Sequence, residues 1–305
     1  MLKHKTIVIT GLTGQVGKPV AEALARDNDV IGLARFSNAS LREQLEAAGV
    51  NCVVADLGSG EFGETPRDPD YVLHFAVAKT LSFEDDLKAN AEGTGLLMDH
   101  CQSATAFLHC SSTAVYQPND HHPFAEEDPL GDNHRVPIME SFMPTYSICK
   151  IASESSARLM ARLLELPTVI ARLNVPYGHS GGWPLMHLEM ILADQPVHVH
   201  SNSPSVYNPI HDDDILRQIP KLLNVASVPA TTLNWAGKET VSIEEWSEFL
   251  AGLVGKEAKI ESTPDVLQSV ITNNSRMHSL VGETEVSWQD GMRRMVEHYH
   301  PELLS

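Results

Sequence analysis

The stretch Thr10-Gly11-Leu12-Thr13-Gly14-Gln15-Val16-Gly17 lies near the start of a chain of 305 residues. It follows the apolar run Thr6-Ile7-Val8-Ile9-Thr10 directly and leads into Val16 to Arg26, where apolar residues recur at three- and four-residue steps. That is a strand, a glycine turn and a helix in immediate succession. Gly11 permits the tight turn, Gly14 keeps a side chain out of the path of a phosphate, and Gly17 lets helix and strand pack closely. The amides of the helix N-terminus then face an anion, with Thr13, Gln15 and Val16 in the same turn.

Outward from this turn the pattern repeats. Further short apolar runs lie at Asp29 to Leu33, Cys52 to Ala55, Tyr71 to Phe75, Ala106 to His109 and Thr168 to Ala171. Between them, Leu41 to Ala48, Phe83 to Gln102 and Tyr146 to Leu164 read as helices. Near-continuous apolar strands separated by helices predict an α/β fold: a doubly wound, Rossmann-type parallel sheet covered on both faces. After Gly178 the texture becomes turn-rich, with a helix-like segment from Leu185 to Ala193. The expected division is a dinucleotide-binding domain of residues 1–178 and 208–237, and a smaller C-terminal substrate lobe of residues 179–207 and 238–305. Leu233-Asn234-Trp235 reads as a late strand, and Ile243 to Leu253 and Trp288 to Tyr299 as amphipathic helices.

A formal net charge of −18 argues against nucleic acid or an anionic membrane as partner, since both are won by basic patches. A small molecule is the expected partner. The cysteines at 52, 101, 110 and 149 lack C-x-x-C spacing and read as buried thiols in a reducing compartment. The first strand begins too near Met1 to leave room for a signal peptide, and no apolar run is long enough for a membrane span, so a cytoplasmic protein is expected. His121-His122 and His198-Val199-His200 lack supporting ligands, so no metal is expected. Asp212-Asp213-Asp214 precedes an apolar helical run and reads as helix capping.

The end of the second strand reads Leu33-Ala34-Arg35-Phe36-Ser37-Asn38, with no acid to accept from a ribose 2′-hydroxyl. Arg35 there either pairs with a 2′-phosphate or is a solvated strand-end charge. The expected cofactor is NADP(H), with NAD(H) as the other candidate. Asp56, with Leu57 beside it, stands where a carboxylate meets the adenine amino group or shapes a turn.

Tyr146 and Lys150 are one helical turn apart, so phenol and ammonium reach the same face. A cation beside a phenol favours phenolate, predicting a Tyr146 pKa below about 10 and an acid-base role. Upstream, Ser111-Ser112-Thr113 follows a strand, placing a hydroxyl at its carboxyl end. Met139, Phe142 and Met143 line either an apolar pocket or ordinary core.

Together these residues resemble the extended short-chain dehydrogenase/reductases, the NAD-dependent epimerase/dehydratase family. The resemblance also rests on His74-Phe75-Ala76-Val77-Ala78, Asn90-Ala91-Glu92-Gly93-Thr94, Val115-Tyr116, Arg172 through Tyr177-Gly178, and His211-Asp212-Asp213-Asp214. It implies that Phe75, Ala76 and Val77 lie along the cofactor, that Lys150 also holds the nicotinamide ribose, and that Ser112 bonds the reacting oxygen while Tyr146 exchanges its proton. Thr113 is the rival hydroxyl; Thr113, Asn174 and Trp183 are the expected substrate residues. The resemblance also implies a homodimer through Phe83 to Gln102 and Tyr146 to Leu164.

Two arginines with which nucleotide-sugar members of that family pair the diphosphate are missing from the matching stretches, Tyr207-Asn208-Pro209-Ile210-His211 and Ser262-Thr263-Pro264-Asp265. Asn174 stands one position before the family asparagine, where Val175 is found. These departures favour an NADP(H)-dependent oxidoreductase acting on a small, non-nucleotide carbonyl or secondary alcohol. The alternatives are a nucleotide-sugar epimerase or dehydratase that recycles its bound cofactor, and a non-catalytic dinucleotide sensor.

Overall fold

In the computed structural model, which describes residues 2–304, the apolar runs become β1 (Thr6–Thr10), β2 (Asp29–Ala34), β3 (Asn51–Val54), β4 (Tyr71–His74), β5 (Ala106–Ser112), β6 (Thr168–Leu173) and β7 (Thr231–Trp235). They form a single sheet in the order β7-β6-β5-β4-β1-β2-β3. β1 pairs in parallel with β2 on one side and β4 on the other, and the β2–β3 and β4–β5 pairs are parallel too. The strands are apolar on both faces because both are covered: Ile7, Val8, Ile9, Val72, Leu73, Phe107, Leu108, Val169 and Ile170 are fully buried. Strand order reverses between β1 and β4, and such a reversal opens a crevice at the carboxyl ends of the two strands. This is the expected Rossmann-type architecture.

The helices that position the site are α1 (Gly17–Leu24), α2 (Ala39–Ala47), α3 (Phe83–Leu87), α4 (Gly93–His100) and α5 (Tyr146–Leu163). The single helix expected from Phe83 to Gln102 is instead interrupted by a π-helical turn, Lys88–Glu92. That widened turn brings Asn90 to the segment after β4, where its amide accepts from Ala78 N at 2.8 Å and donates to Ala78 O at 3.0 Å. Gly93 follows, and a Cβ there would lie 2.9 Å from Leu57 O, so α4 reaches β3's far end only because that position is glycine. Along α5 the buried stripe is Ser147, Lys150, Glu154, Ala157 and Ala161, at three- and four-residue spacing. Two members of that stripe are charged and require partners.

The chain divides into two compact units. One combines the chain up to Ser112 with Thr145–Arg172 and Leu216–Leu233; the other combines Thr113–Pro144, Leu173–Ile215 and the chain from Asn234 on. Thr113–Pro144 thus groups with the second unit, whereas the sequence boundaries put it in the first. The second unit carries the helices Trp183–Leu192, Ile243–Leu253 and Trp288–Tyr299. Ser242 starts one of them with a capping box, accepting from Glu245 N while Glu245 accepts from Ser242 N. The carboxylates of Asp212 to Asp214 do more than begin a helix: Asp212 accepts from Ser180 N, Asp214 from Glu285 N and Val286 N, and Asp213 pairs with Arg294. They fasten three other segments of that unit.

Candidate active site

At the crevice between β1 and β4, Gly11 has φ +76°, and a Cβ on it would lie 2.6 Å from Ala76 N. Gly17 would carry a Cβ 2.4 Å from Gly11 O, so the start of α1 presses on the turn. Gly14 N donates to Gly11 O at 3.0 Å. The two strand ends are stitched by side chains: Thr10 Oγ1 accepts from Ala76 N at 3.1 Å and bonds His74 Nδ1 at 2.7 Å, while His74 Nε2 bonds Thr94 Oγ1 at 2.9 Å. Burial, reinforced by Lys150, holds His74 down to about 3, so it bridges these hydroxyls as a neutral ring. No side chain caps the N-terminus of α1 and no acid sits in its first turn, which leaves that end open to an anion.

A crevice of about 460 Å³ lies here. Of the residues foreseen for the cofactor, Gly11, Thr13, Arg35, Asp56, Leu57, Ala76 and Val77 line it; Gly14, Gln15, Val16, Phe75, Tyr146 and Lys150 lie outside its lining. Lys88 and Thr80 line it and were not foreseen. Lys88 belongs to the π turn, whose widened geometry the helical spacing does not announce. Asp56 Oδ1 accepts from Gly58 N at 2.9 Å, shaping its own turn, and Arg35 is exposed at the end of β2. The glycine turn, the uncapped helix end and the crevice fit a dinucleotide diphosphate.

Ser112 ends β5 and Tyr146 opens α5, and their hydroxyls are hydrogen-bonded to each other. Lys150, one turn along, donates from Nζ to Cys110 O at 2.8 Å and lies 6.0 Å from the Tyr146 ring centroid. The three residues foreseen for chemistry are therefore together. The expected lowering of the Tyr146 pKa is not found: burial pushes the phenol up to about 12, against the Ser112 hydrogen bond, which lowers it. Burial likewise pulls the Lys150 ammonium down, while the nearby Glu154 carboxylate acts in the opposite direction. Cys110 is pushed up to about 11 by burial and stays a thiol. Lys79, which the sequence reading passed over, lies 5.5 Å from the same ring.

Two buried carboxylates fix this set. Glu154, one turn beyond Lys150, accepts from Ser111 Oγ at 2.6 Å, from Arg172 Nε and Nη2 at 2.9 Å each, and from Arg158 at 3.0 Å. Burial would raise its carboxyl, but the Arg172 guanidinium and the other donors hold it below the usual range. Asp86 accepts from Thr80 N and Oγ1 at 2.7 and 2.9 Å and from Thr145 Oγ1 at 2.6 Å, tying the segment after β4 to the residue before Tyr146.

In the second unit, Asn174 is buried and donates to Val270 O at 2.9 Å, and Thr113 is buried with Oγ1 3.5 Å from Leu173 O. Trp183 is half-buried and meets Tyr207 edge to face at 5.4 Å. Met139 is buried while Phe142 is exposed. The paired histidines have ordinary partners, His122 with Asp128 and His198 with Glu261, and the described residues hold no group of three metal-ligating side chains.

A family model, the NAD dependent epimerase/dehydratase family, matches residues 7–222. The chain belongs to that family. A comparison with curated proteins finds no match. Among solved structures, UDP-glucuronic acid 4-epimerase from Bacillus cereus, in complex with UDP-glucuronic acid and NAD, is 20% identical with a TM-score of 0.78, over 96% of this chain and 98% of that one. UDP-N-acetylglucosamine 4-epimerase from Methanobrevibacter ruminantium, in complex with UDP-N-acetylmuramic acid, is 16% identical with a TM-score of 0.81, over 99% and 100%. The dTDP-glucose 4,6-dehydratase DesIV from Streptomyces venezuelae, with NAD and TYD bound, is 20% identical with a TM-score of 0.76, over 97% of both chains. At these identities the likeness establishes the fold, and the family model establishes membership. The chain is an enzyme-family member of the epimerase/dehydratase class, and none of its described helices is long and apolar enough to cross a membrane.

Proposed function

We propose that this chain is a nucleotide-sugar epimerase or dehydratase that keeps NAD bound and returns the hydride to its substrate. The observation carrying this reading is the assembled Ser112, Tyr146 and Lys150 set in a member of this family. A small-molecule reductase with an exchanged cofactor came first in the sequence reading. Likeness to 4-epimerases and a dehydratase bound to NAD or to sugar nucleotides moves the recycling reading ahead of it.

Bound NAD supplies a reversible hydride acceptor. Tyr146 takes or gives the proton of the substrate hydroxyl, and Ser112 donates to the same oxygen as charge develops on it. Lys150 holds the ribose and its charge favours the phenolate. Gly11 to Gly17 and the N-terminus of α1 hold the diphosphate, with Ala76 and Val77 alongside. The first unit is the proposed dinucleotide domain; the second, with Thr113, Asn174 and Trp183, is the proposed substrate lobe.

Arg35 supports a finer point: exposed at the end of β2, beside the crevice and with no acid nearby on that strand end, it suits a 2′-phosphate and favours NADP(H) as a second cofactor. Exposed Leu96 on α4 and Leu159 and Leu163 on α5 support a homodimer through those helices. The free, buried cysteines suit a cytoplasmic location. The test is to unfold the purified protein and identify the released nucleotide by mass spectrometry. Near-stoichiometric NAD is expected; release of none would return the exchanged-cofactor reductase to first place.

A further inference from the structure

Asp86 is fully buried, and its two carboxylate oxygens serve two different segments. Oδ1 accepts from Thr80 N at 2.7 Å and from Thr80 Oγ1 at 2.9 Å, while Oδ2 accepts from Thr145 Oγ1 at 2.6 Å. Thr80 lines the dinucleotide crevice; Thr145 immediately precedes Tyr146 and stands at the N-cap of α5. One planar group therefore reaches from the crevice wall to the start of the helix that carries Tyr146 and Lys150.

A threonine at an N-cap ordinarily accepts from an amide of the turn that follows. Thr145 makes no such cap and donates to Asp86 instead, and α5 has no acid of its own in its first turn. The start of α5 is thus tied to a residue 59 positions earlier in the chain. The backbone of Asp86 is fixed in turn: its N–H donates to Ser82 O at 2.9 Å, and its carbonyl accepts from Asn90 Nδ2 at 2.8 Å. Asn90 also holds both backbone groups of Ala78, so the crevice segment is pinned at Ala78 and again at Thr80. The same short stretch serves two sides. Asp85, Lys88 and Ala89 line the crevice, whereas Asp86 and Asn90 are buried and make the tertiary bonds just described.

We propose that Asp86 is a positioning residue that ties a filled dinucleotide crevice to the placement of Tyr146. This rests on the reading above that the crevice takes a dinucleotide and that Tyr146 exchanges the substrate proton. A ligand against the crevice wall fixes Thr80, Asp86 carries that constraint to Thr145, and the first turn of α5 then opens only when the crevice does. Asp86 lies outside the crevice lining and acts through Thr145 alone. A ligand that binds only the closed crevice suppresses such a shared opening in proportion to its concentration over its Kd.

The probe is ADP, which carries the adenosine and diphosphate of the cofactor but no nicotinamide riboside to touch Tyr146 or Lys150. Amide hydrogen exchange of the purified protein is followed at Cys149 N, which donates to Thr145 O at 2.9 Å. With ADP at about 100 times its Kd, exchange there should slow by up to about 100-fold. Thr145→Val keeps the side-chain shape without the hydroxyl; ADP should bind it equally well in calorimetry, yet most of the slowing should be lost. Thr145→Ser should restore it, as should Asp86→Asn, which still accepts from Thr80 and can donate to Thr145 Oγ1. On a nucleotide sugar, Thr145→Val should lower kcat by about 10–100-fold with KM nearly unchanged, as expected of a misplaced Tyr146. ADP binding without slowing at Cys149, or equal slowing in Thr145→Val, overturns the proposal and leaves the crevice reading intact. Failure of ADP to bind overturns the crevice reading and the proposal with it. Thr145-dependent slowing in a protein inactive on every nucleotide sugar upholds the coupling and overturns the functional reading instead.

Discussion

Glu154→Ala should destabilise the first unit by about 3–5 kcal/mol, the cost expected when one partner of a buried ion pair is removed. The structure supplies the reason. Glu154 is fully buried, Arg172 is 3% exposed, and the two meet through paired bonds of 2.9 Å each, so the substitution takes away the carboxylate that neutralises a guanidinium inside the protein. Loss of the 2.6 Å bond from Ser111 adds to this. The contact with Arg158, whose side chain is 36% exposed, adds little because solvent screens it. Against a total stability of about 5–15 kcal/mol this is a large fraction. Urea unfolding with linear extrapolation measures it, and Glu154→Leu combined with Arg172→Met should recover much of the loss because no charge is left buried alone. Since the native carboxyl lies below its ordinary 4.5, its contribution is present above that pH and fades as the pH falls through the native value. A loss under about 1 kcal/mol, or no recovery in the double variant, would refute the assigned role.

Tyr146→Phe should keep cofactor binding and lower turnover by about 10²–10⁴-fold, read by single-turnover kinetics; near-normal turnover would remove Tyr146 as the proton carrier. Arg35→Ala should weaken NADPH by about 1.5–3 kcal/mol and leave NADH nearly unchanged, as measured by fluorescence titration. Equal affinities for the two cofactors in the unsubstituted protein would show that Arg35 reads no phosphate. Asp212, pushed up to about 6 by burial, binds its proton more tightly in the folded state, so between about pH 4 and 6 it lowers stability as pH rises. Asp212→Asn, which keeps an acceptor for Ser180 N, should flatten that slope in urea titrations across the range; an unaltered slope would contradict the assignment.

The strands and the large helices were legible because a doubly covered sheet forces nearly continuous apolar runs, and helices such as Ile243–Leu253 and Trp288–Tyr299 carry their stripe and cap in the sequence. The glycine turn was legible because close backbone approach admits only glycine, as Gly11 against Ala76 and Gly17 against Gly11 demonstrate. The π turn at Lys88–Glu92 was not, since no residue there breaks a helical pattern; its cause is the tertiary hold of Asn90 on Ala78. The sign of the Tyr146 shift was missed for a related reason. Helical spacing gives the distance to a cation, whereas the burial that raises the phenol, against the Ser112 hydrogen bond, depends on strands far away in the sequence. Lys79 was missed because its approach to Tyr146 depends on Asp86 bridging two segments that sequence order separates.

The central claim is hydride return to a nucleotide sugar from a cofactor that stays bound. It is tested most directly by incubating the purified protein, without added cofactor, with a nucleotide sugar deuterated at the carbon that loses hydride. The account predicts an epimerised or dehydrated product that retains the deuterium, with no net build-up of free reduced cofactor. Appearance of the deuterium on soluble NADH or NADPH in step with oxidised sugar would contradict it.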